Sequence, residues 1–111
     1  MDINQTAMTV IMNSCNGRDK VDECYKAIYE DDFAKAKKLL DEANDEILKA
    51  HRAQTEVIQA QAAGEDMEYS LLFIHAQDTL MTSDSQLRTA QSILPIFMKM
   101  NQQKITTEEE K

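Results

Sequence analysis

The sequence predicts an all-α domain, three long helices in an antiparallel up-down-up hairpin. Apolar and small residues recur at three- and four-residue spacing through most of the 111 positions. Two Gly and one Pro leave too few turn formers for a sandwich of short strands. The breaks between periodic stretches, Glu30–Asp32 and Gly64–Glu68, are short, and short links between long helices give antiparallel neighbours. No alternating strand pattern and no internal repeat is present. The expectation is one domain over residues 1–105, with helices at about 6–30, 33–63 and 69–103.

The first helix, from about Thr6 to Glu30, carries Ala7, Val10, Ser14, Gly17, Val21, Cys24 and Ile28 on one seam. Asn16-Gly17 is a turn dipeptide, but the seam keeps phase across it, so one continuous helix is expected. Ser14 and Gly17 are small enough to admit another helix closely. The second helix has Asp32 as N-cap. Phe33, Ala36, Leu40, Ala43, Ile47, Ala50, Gln54, Val57 and Gln61 then hold a heptad seam, which places Gln54 and Gln61 as polar residues among apolar ones. This helix should be about 45 Å long and end near Ala63, with Gly64 as punctuation.

The third helix starts near Tyr69 or Ser70 and runs to about Gln103. It bears two stripes: Leu71, Ile74, Asp78, Met81 and Ser85, and beside them Phe73, Gln77, Leu80, Leu87 and Leu94. Pro95 lacks a backbone donor and is expected to kink this helix or end its regular part. The stretch 106–111, with Glu108, Glu109 and Glu110 in a row, is expected to be a solvated tail.

Acidic residues number 20 and basic residues 12, a formal net charge of −8. That argues against a nucleic-acid footprint and against a polybasic membrane anchor. No apolar run approaches the ~18 residues of a spanning helix, and the opening Met-Asp-Ile-Asn-Gln-Thr has no secretory pattern. Cys15 and Cys24 would stand about 13 Å apart along one helix, too far for a disulfide. Reduced thiols and a cytoplasmic location are expected. A core from 42% apolar residues is modest at this length, and association with other copies would help.

Candidate chemistry sits in Phe73-Ile74-His75-Ala76-Gln77-Asp78-Thr79-Leu80-Met81-Thr82. Asp78 interrupts an apolar stripe, where a carboxylate needs a proton, a cation or a partner; it could also serve to fix register or oligomer number. His75 lies three residues earlier on an adjacent edge, and spacing alone leaves it open between a hydrogen-bonded core residue and a reactive one. No Glu-x-x-His or His-x-x-x-His pair and no Gly-rich phosphate loop occurs.

These residues resemble the enzyme IIA component of the lactose/cellobiose (N,N′-diacetylchitobiose) class of the bacterial sugar phosphotransferase system. The likeness covers roughly residues 8–90. Gly64-Glu65, Tyr69-Ser70, His75-Ala76-Gln77-Asp78 and Leu80-Met81-Thr82 are similar to the family's active-site signature. Asp32-Phe33-Ala34-Lys35-Ala36, Ala50-His51-Arg52-Ala53-Gln54-Thr55, Ile58 and Arg18 agree in order and spacing.

The resemblance implies a homotrimer, a nine-helix bundle in all. It implies that His75 accepts a phosphoryl group from the phosphocarrier HPr and passes it to the sugar-specific enzyme IIB. The membrane would be involved only through the transporter component, and the sugar would be a β-linked disaccharide such as lactose, cellobiose or chitobiose. It also implies that three copies of Asp78 share one divalent cation, magnesium, near a three-fold axis. Gln77 and, from a facing helix, Gln54 are candidate donors for positioning the phosphoryl group, with simple polar satisfaction of the bundle as their other reading. His51 reads as a surface or packing residue. The chain departs from the family at Thr79, where members often carry a second histidine, at Cys15 and Gly17, where the family's glycine is shifted, and beyond Arg88, where the likeness fades.

Two other classes compete. A structural trimerisation or adaptor module would trimerise without phosphoryl transfer. A helical metal protein would use His75 and Asp78 as ligands drawn from several chains.

Overall fold

Each helix starts on a side chain that accepts hydrogen bonds from the first turn's orphan N–H groups. The computed structural model describes residues 1–110. The Asp2 carboxylate accepts from the Asn4 and Gln5 amides at 3.1 Å and opens α1, Ile3–Tyr29. Asp32 accepts from Lys35 N at 3.2 Å and opens α2, Phe33–Ala62. Ser70 accepts from Phe73 N at 3.0 Å and opens α3, Leu71–Glu109. α1 therefore begins earlier than its apolar spacing indicates, because Asp2 is a cap outside the periodic stretch. It is continuous through Asn16-Gly17, as its seam requires.

The helix ends follow the same economy. α1 closes with Asp32 N donating to the Ala27 carbonyl at 2.9 Å, which places Asp31 in the left-handed region at φ 59°. α2 closes in the same way, with Glu65 N on the Ala60 carbonyl at 3.1 Å and Gly64 at φ 88°. Both are helix-ending motifs in which one left-handed residue frees the following amides to satisfy the last carbonyls. The side chain of aspartate makes it one of the few non-glycine residues that tolerate this conformation.

The three rods pack as up-down-up, 69 × 20 × 17 Å overall. Ser70 Oγ donates to Asn4 Oδ1 at 2.6 Å, which sets the starts of α1 and α3 side by side. Lys20 Nζ meets Glu42 Oε2 at 3.1 Å across α1 and α2, and this hydrogen bond raises the lysine pKa.

The core is the predicted seam of α1 (Ala7, Val10, Ser14, Gly17, Val21, Cys24, Ile28) against that of α2 (Ala36, Leu40, Ala43, Ile47, Ala50, Val57). On that seam Phe33 and Gln54 are half-buried and Gln61 is exposed. α3 contributes Phe73, Ala76, Leu80, Ser83, Leu87, Ala90 and Leu94. Removing a leucine such as Leu80 or Leu87 from water contributes about 1.5–3 kcal/mol. Small residues let the helices approach: a Cβ on Gly17 would stand 2.8 Å from Ile47 Cδ1 and 3.3 Å from the Ala43 carbonyl oxygen. Among the described residues, the buried hydroxyls of Ser14 and Ser83 have no hydrogen-bond partner.

α3 departs from its sequence reading at its far end. Pro95 does not end it, and the segment expected to be a tail from Thr106 is helical through Glu109. Pro95 and Gln91 are both exposed, so the Gln91 carbonyl that loses its donor faces water. The Thr106 and Thr107 hydroxyls donate to the Gln102 and Gln103 carbonyls at 3.0 and 2.9 Å, one turn back on the same helix. Lys111 lies outside the described residues. No helix is long and apolar enough to cross a membrane among the described residues.

Candidate functional site

One of the two α3 stripes is core and the other is not. Phe73, Leu80, Leu87 and Leu94 are buried. Leu71, Ile74, Asp78, Met81 and Ser85 all face outward, and three of them are large apolar residues exposed by 68% (Leu71), 42% (Ile74) and 60% (Met81). A residue's helical neighbour on the same face lies three or four positions away, so Asp78 sits centrally in this uncovered stripe.

His75 stands at the edge of that stripe, exposed, one turn into α3. Among the described residues its ring makes no hydrogen bond, while its carbonyl oxygen accepts from Thr79 Oγ1 at 2.9 Å. The Thr79 side chain is thus turned back along the helix backbone.

Within one chain the structure does not bring the candidate donors to His75. Gln77 is two residues on, about 200° around the helix, and belongs to the opposite flank. There it lines a groove of about 340 Å³ with Gln61, Tyr69 and Ser70, and His75 is not part of that groove. Gln54 is half-buried on the core-facing seam of α2 between Ala50 and Val57. No hydrogen bond joins either amide to the imidazole among the described residues.

The second histidine is committed elsewhere. His51 Nε2 lies 3.6 Å from Asp84 Oδ2, bridging α2 and α3, and the same oxygen accepts from Arg88 Nε at 3.3 Å. Sequence reasoning passed over Asp84; a carboxylate four residues before an arginine on a helix was the available signal. Arg18 Nη2 lies 3.6 Å from Cys15 Sγ, one turn back on α1. Both thiols are free; Cys15 is half-buried, and burial pushes the pKa of Cys24 up.

An exposed imidazole beside an unpaired carboxylate on an otherwise apolar, uncovered face can act as a nucleophile towards a group that another protein delivers. The comparisons with known proteins agree with that chemistry. The profile of the family described as PTS system, Lactose/Cellobiose specific IIA subunit matches residues 5–98. The lichenan-specific phosphotransferase enzyme IIA component of Bacillus subtilis is 36% identical over 103 residues, 93% of this chain and 94% of that one. The crystal structure of the PTS cellobiose-specific enzyme IIA from Bacillus anthracis superposes with a TM-score of 0.85 at 33% identity, covering 91% and 93% of the two chains. The IIA(chitobiose) chain of the IIA–HPr complex of Escherichia coli superposes at 0.78, with 29% identity over 91% and 98%. This chain belongs to the lactose/cellobiose-specific IIA family of the sugar phosphotransferase system, and it is a phosphotransferase component.

Proposed function

We propose that His75 accepts a phosphoryl group from phospho-HPr and passes it to the cognate enzyme IIB, in a cytoplasmic homotrimer that serves uptake of a β-linked disaccharide. The observation that carries this reading is the position of His75: exposed, at the edge of an apolar stripe that nothing in its own chain covers. A related IIA chain is known in complex with HPr, and relatives are named for lichenan, lactose and cellobiose. A net charge of −8 favours encounter with partners that dock through a basic face.

A neutral imidazole is a competent nucleophile. Its unprotonated nitrogen attacks phosphorus in line. The new N–P bond forms as the bond from phosphorus to the carrier breaks, and the electron pair leaves with the carrier. The other nitrogen keeps its proton, so this ring needs no separate base. Transfer to enzyme IIB is the same displacement with His75 as the leaving group. Positioning and charge stabilisation are the main demands of such a step.

The Leu71–Ser85 stripe packs against its equivalents around a three-fold axis, nine helices in all. Three Asp78 carboxylates then converge and repel unless protons or a cation intervene. No group of three potential ligands exists within one chain among the described residues, so a metal site here takes one Asp78 oxygen from each copy. Magnesium suits such an oxygen set completed by water. When bound it neutralises the converging charge, and the transfer itself does not pass through it.

The test pairs two measurements on the same preparation: sedimentation for the trimer, and phosphoryl uptake from phosphoenolpyruvate, enzyme I and HPr followed by discharge to enzyme IIB. Both are expected. A trimer that takes up no phosphoryl group identifies a structural module instead.

A further inference from the structure

Charge is not spread evenly along the rod. Residues 1–17 and 53–87 contain no Lys or Arg, while the remainder holds 12 basic and 13 acidic residues that nearly cancel. Folding brings the two cation-free stretches together at one end. Ser70 Oγ donates to Asn4 Oδ1 at 2.6 Å, and the Met1 amine lies 3.5 Å from Glu65 Oε1. Asp2, Asp66 and Glu68 line one groove of about 390 Å³ there. Glu56 lies six residues before Ala62, the end of α2, and His75 five after Ser70, so both stand within about 10 Å of that end along the rod. Asp78 follows His75 by one turn. Asp84, the remaining carboxylate of these stretches, is held by Arg88 and His51. The other six are exposed. Among the described residues, the Met1 amine is the one positive group within ion-pair distance of any of them.

A phosphoryl group carries a charge of about −2. On α3 the first basic residue after His75 is Arg88, thirteen positions and about 20 Å of rise away. Each nearby carboxylate repels the phosphoryl group through a path that water and salt weaken without abolishing. This repulsion raises the free energy of the loaded chain and leaves the empty one unchanged. From this arrangement we infer that the carboxylates around His75 raise its phosphoryl-transfer potential. They tilt the equilibrium away from loading this chain and toward discharge onto the next protein. The exchange keeps its balance: the bond from phosphorus to His75 breaks as the bond to the acceptor forms, and no co-reactant enters. This rests on the phosphocarrier reading and adds which way the carrier leans. It is separate from docking, because charge steering changes how fast partners meet, whereas the equilibrium between free species depends on the loaded and empty states alone.

The experiment equilibrates purified HPr with this chain from both directions, loaded HPr with empty chain and the reverse, without divalent cations. The variant Glu65→Gln/Asp66→Asn/Glu68→Gln removes three charges from the α2–α3 link. A control, Glu108→Gln/Glu109→Gln/Glu110→Gln, removes three from the far end of α3. Folding of each is checked by circular dichroism, and Glu68→Gln alone serves if the triple link variant does not fold. At low salt the link variant is expected to favour loading roughly two- to tenfold over wild type. That difference should close near 1 M salt, where screening reaches within about 3 Å, and the control should match wild type throughout. An equilibrium constant equal to wild type in the link variant at low salt overturns the proposal, even if loading becomes slower, since slower loading alone assigns these carboxylates to docking. An equal shift in the control overturns it as well, by assigning the effect to net charge. A wild-type chain that takes no phosphoryl group from loaded HPr overturns the underlying reading, and this is seen before any variant is made.

Discussion

Gly17 of α1 backs onto Ile47 of α2 with no room for a methyl group between them. A Cβ there would stand 2.8 Å from Ile47 Cδ1 and 2.9 Å from Cγ1, with the Ala43 carbonyl oxygen at 3.3 Å. Gly17→Ala should therefore lose about 1–2 kcal/mol in urea unfolding: overpacking costs about 1–3 kcal/mol, and helix propensity returns part of it. Trimming the neighbour identifies the cause. Ile47→Val should cost less in the Gly17→Ala background than in the wild type, a positive coupling in the double-mutant cycle.

Ser14 and Ser83 give the opposite expectation. Their hydroxyls are buried without a partner among the described residues, and an unsatisfied buried group is costly. Ser83→Ala removes the hydroxyl and improves helix propensity, so it should raise stability by about 0.5–1.5 kcal/mol. Thermal unfolding checks this; a lower melting temperature would show that the hydroxyl is bonded after all.

The cysteines should separate by burial. Cys15 is half-buried and Cys24 is buried, so a thiol reagent should label Cys15 first and Cys24 only on unfolding. Burial raises the Cys24 pKa above its ordinary value of 9.0. The folded thiol therefore holds its proton after the unfolded one has lost it. Stability should be unaffected at pH 7, then fall as pH rises past the ordinary value and until the folded thiol itself ionises. Cys24→Ala should flatten that decline.

The charge of Asp78 should make assembly depend on divalent cations. Chelation is expected to weaken the trimer, and added magnesium to restore it, read by sedimentation. Asp78→Leu removes the converging charges and should give a trimer indifferent to chelator. A wild-type trimer equally indifferent would leave the carboxylates neutralised by protons.

How much of this the sequence showed depends on what each pattern can encode. The seam from Ala7 to Ile28 and that from Ala36 to Val57 were legible because both are buried in their own chain. On α3 two stripes compete, and apolar spacing alone does not say which one faces the same chain. Leu71, Ile74 and Met81 are as hydrophobic as Phe73 and Leu80; the small residues Ala76, Ser83 and Ala90 are what let the Phe73 side sit close to α1 and α2. Asp2 was missed as a cap because it precedes the periodic stretch. Pro95 was expected to kink α3 or end its regular part, but an exposed proline can be carried within a helix. Gln77 lies about 200° around the helix from His75, so within one chain the two stand on different flanks. Gln61 was legible only as a polar residue on a seam, since its groove is made by folding α2 back against the start of α3.

The most direct test of the central claim is the site of phosphoryl attachment. Purified protein is charged through enzyme I and HPr, and the modified residue is mapped under alkaline conditions that preserve phosphohistidine. The account predicts a single modified histidine per chain, His75, with full labelling of His51→Gln and none of His75→Gln. Label remaining on His75→Gln, or found at His51 beside Asp84, would contradict it.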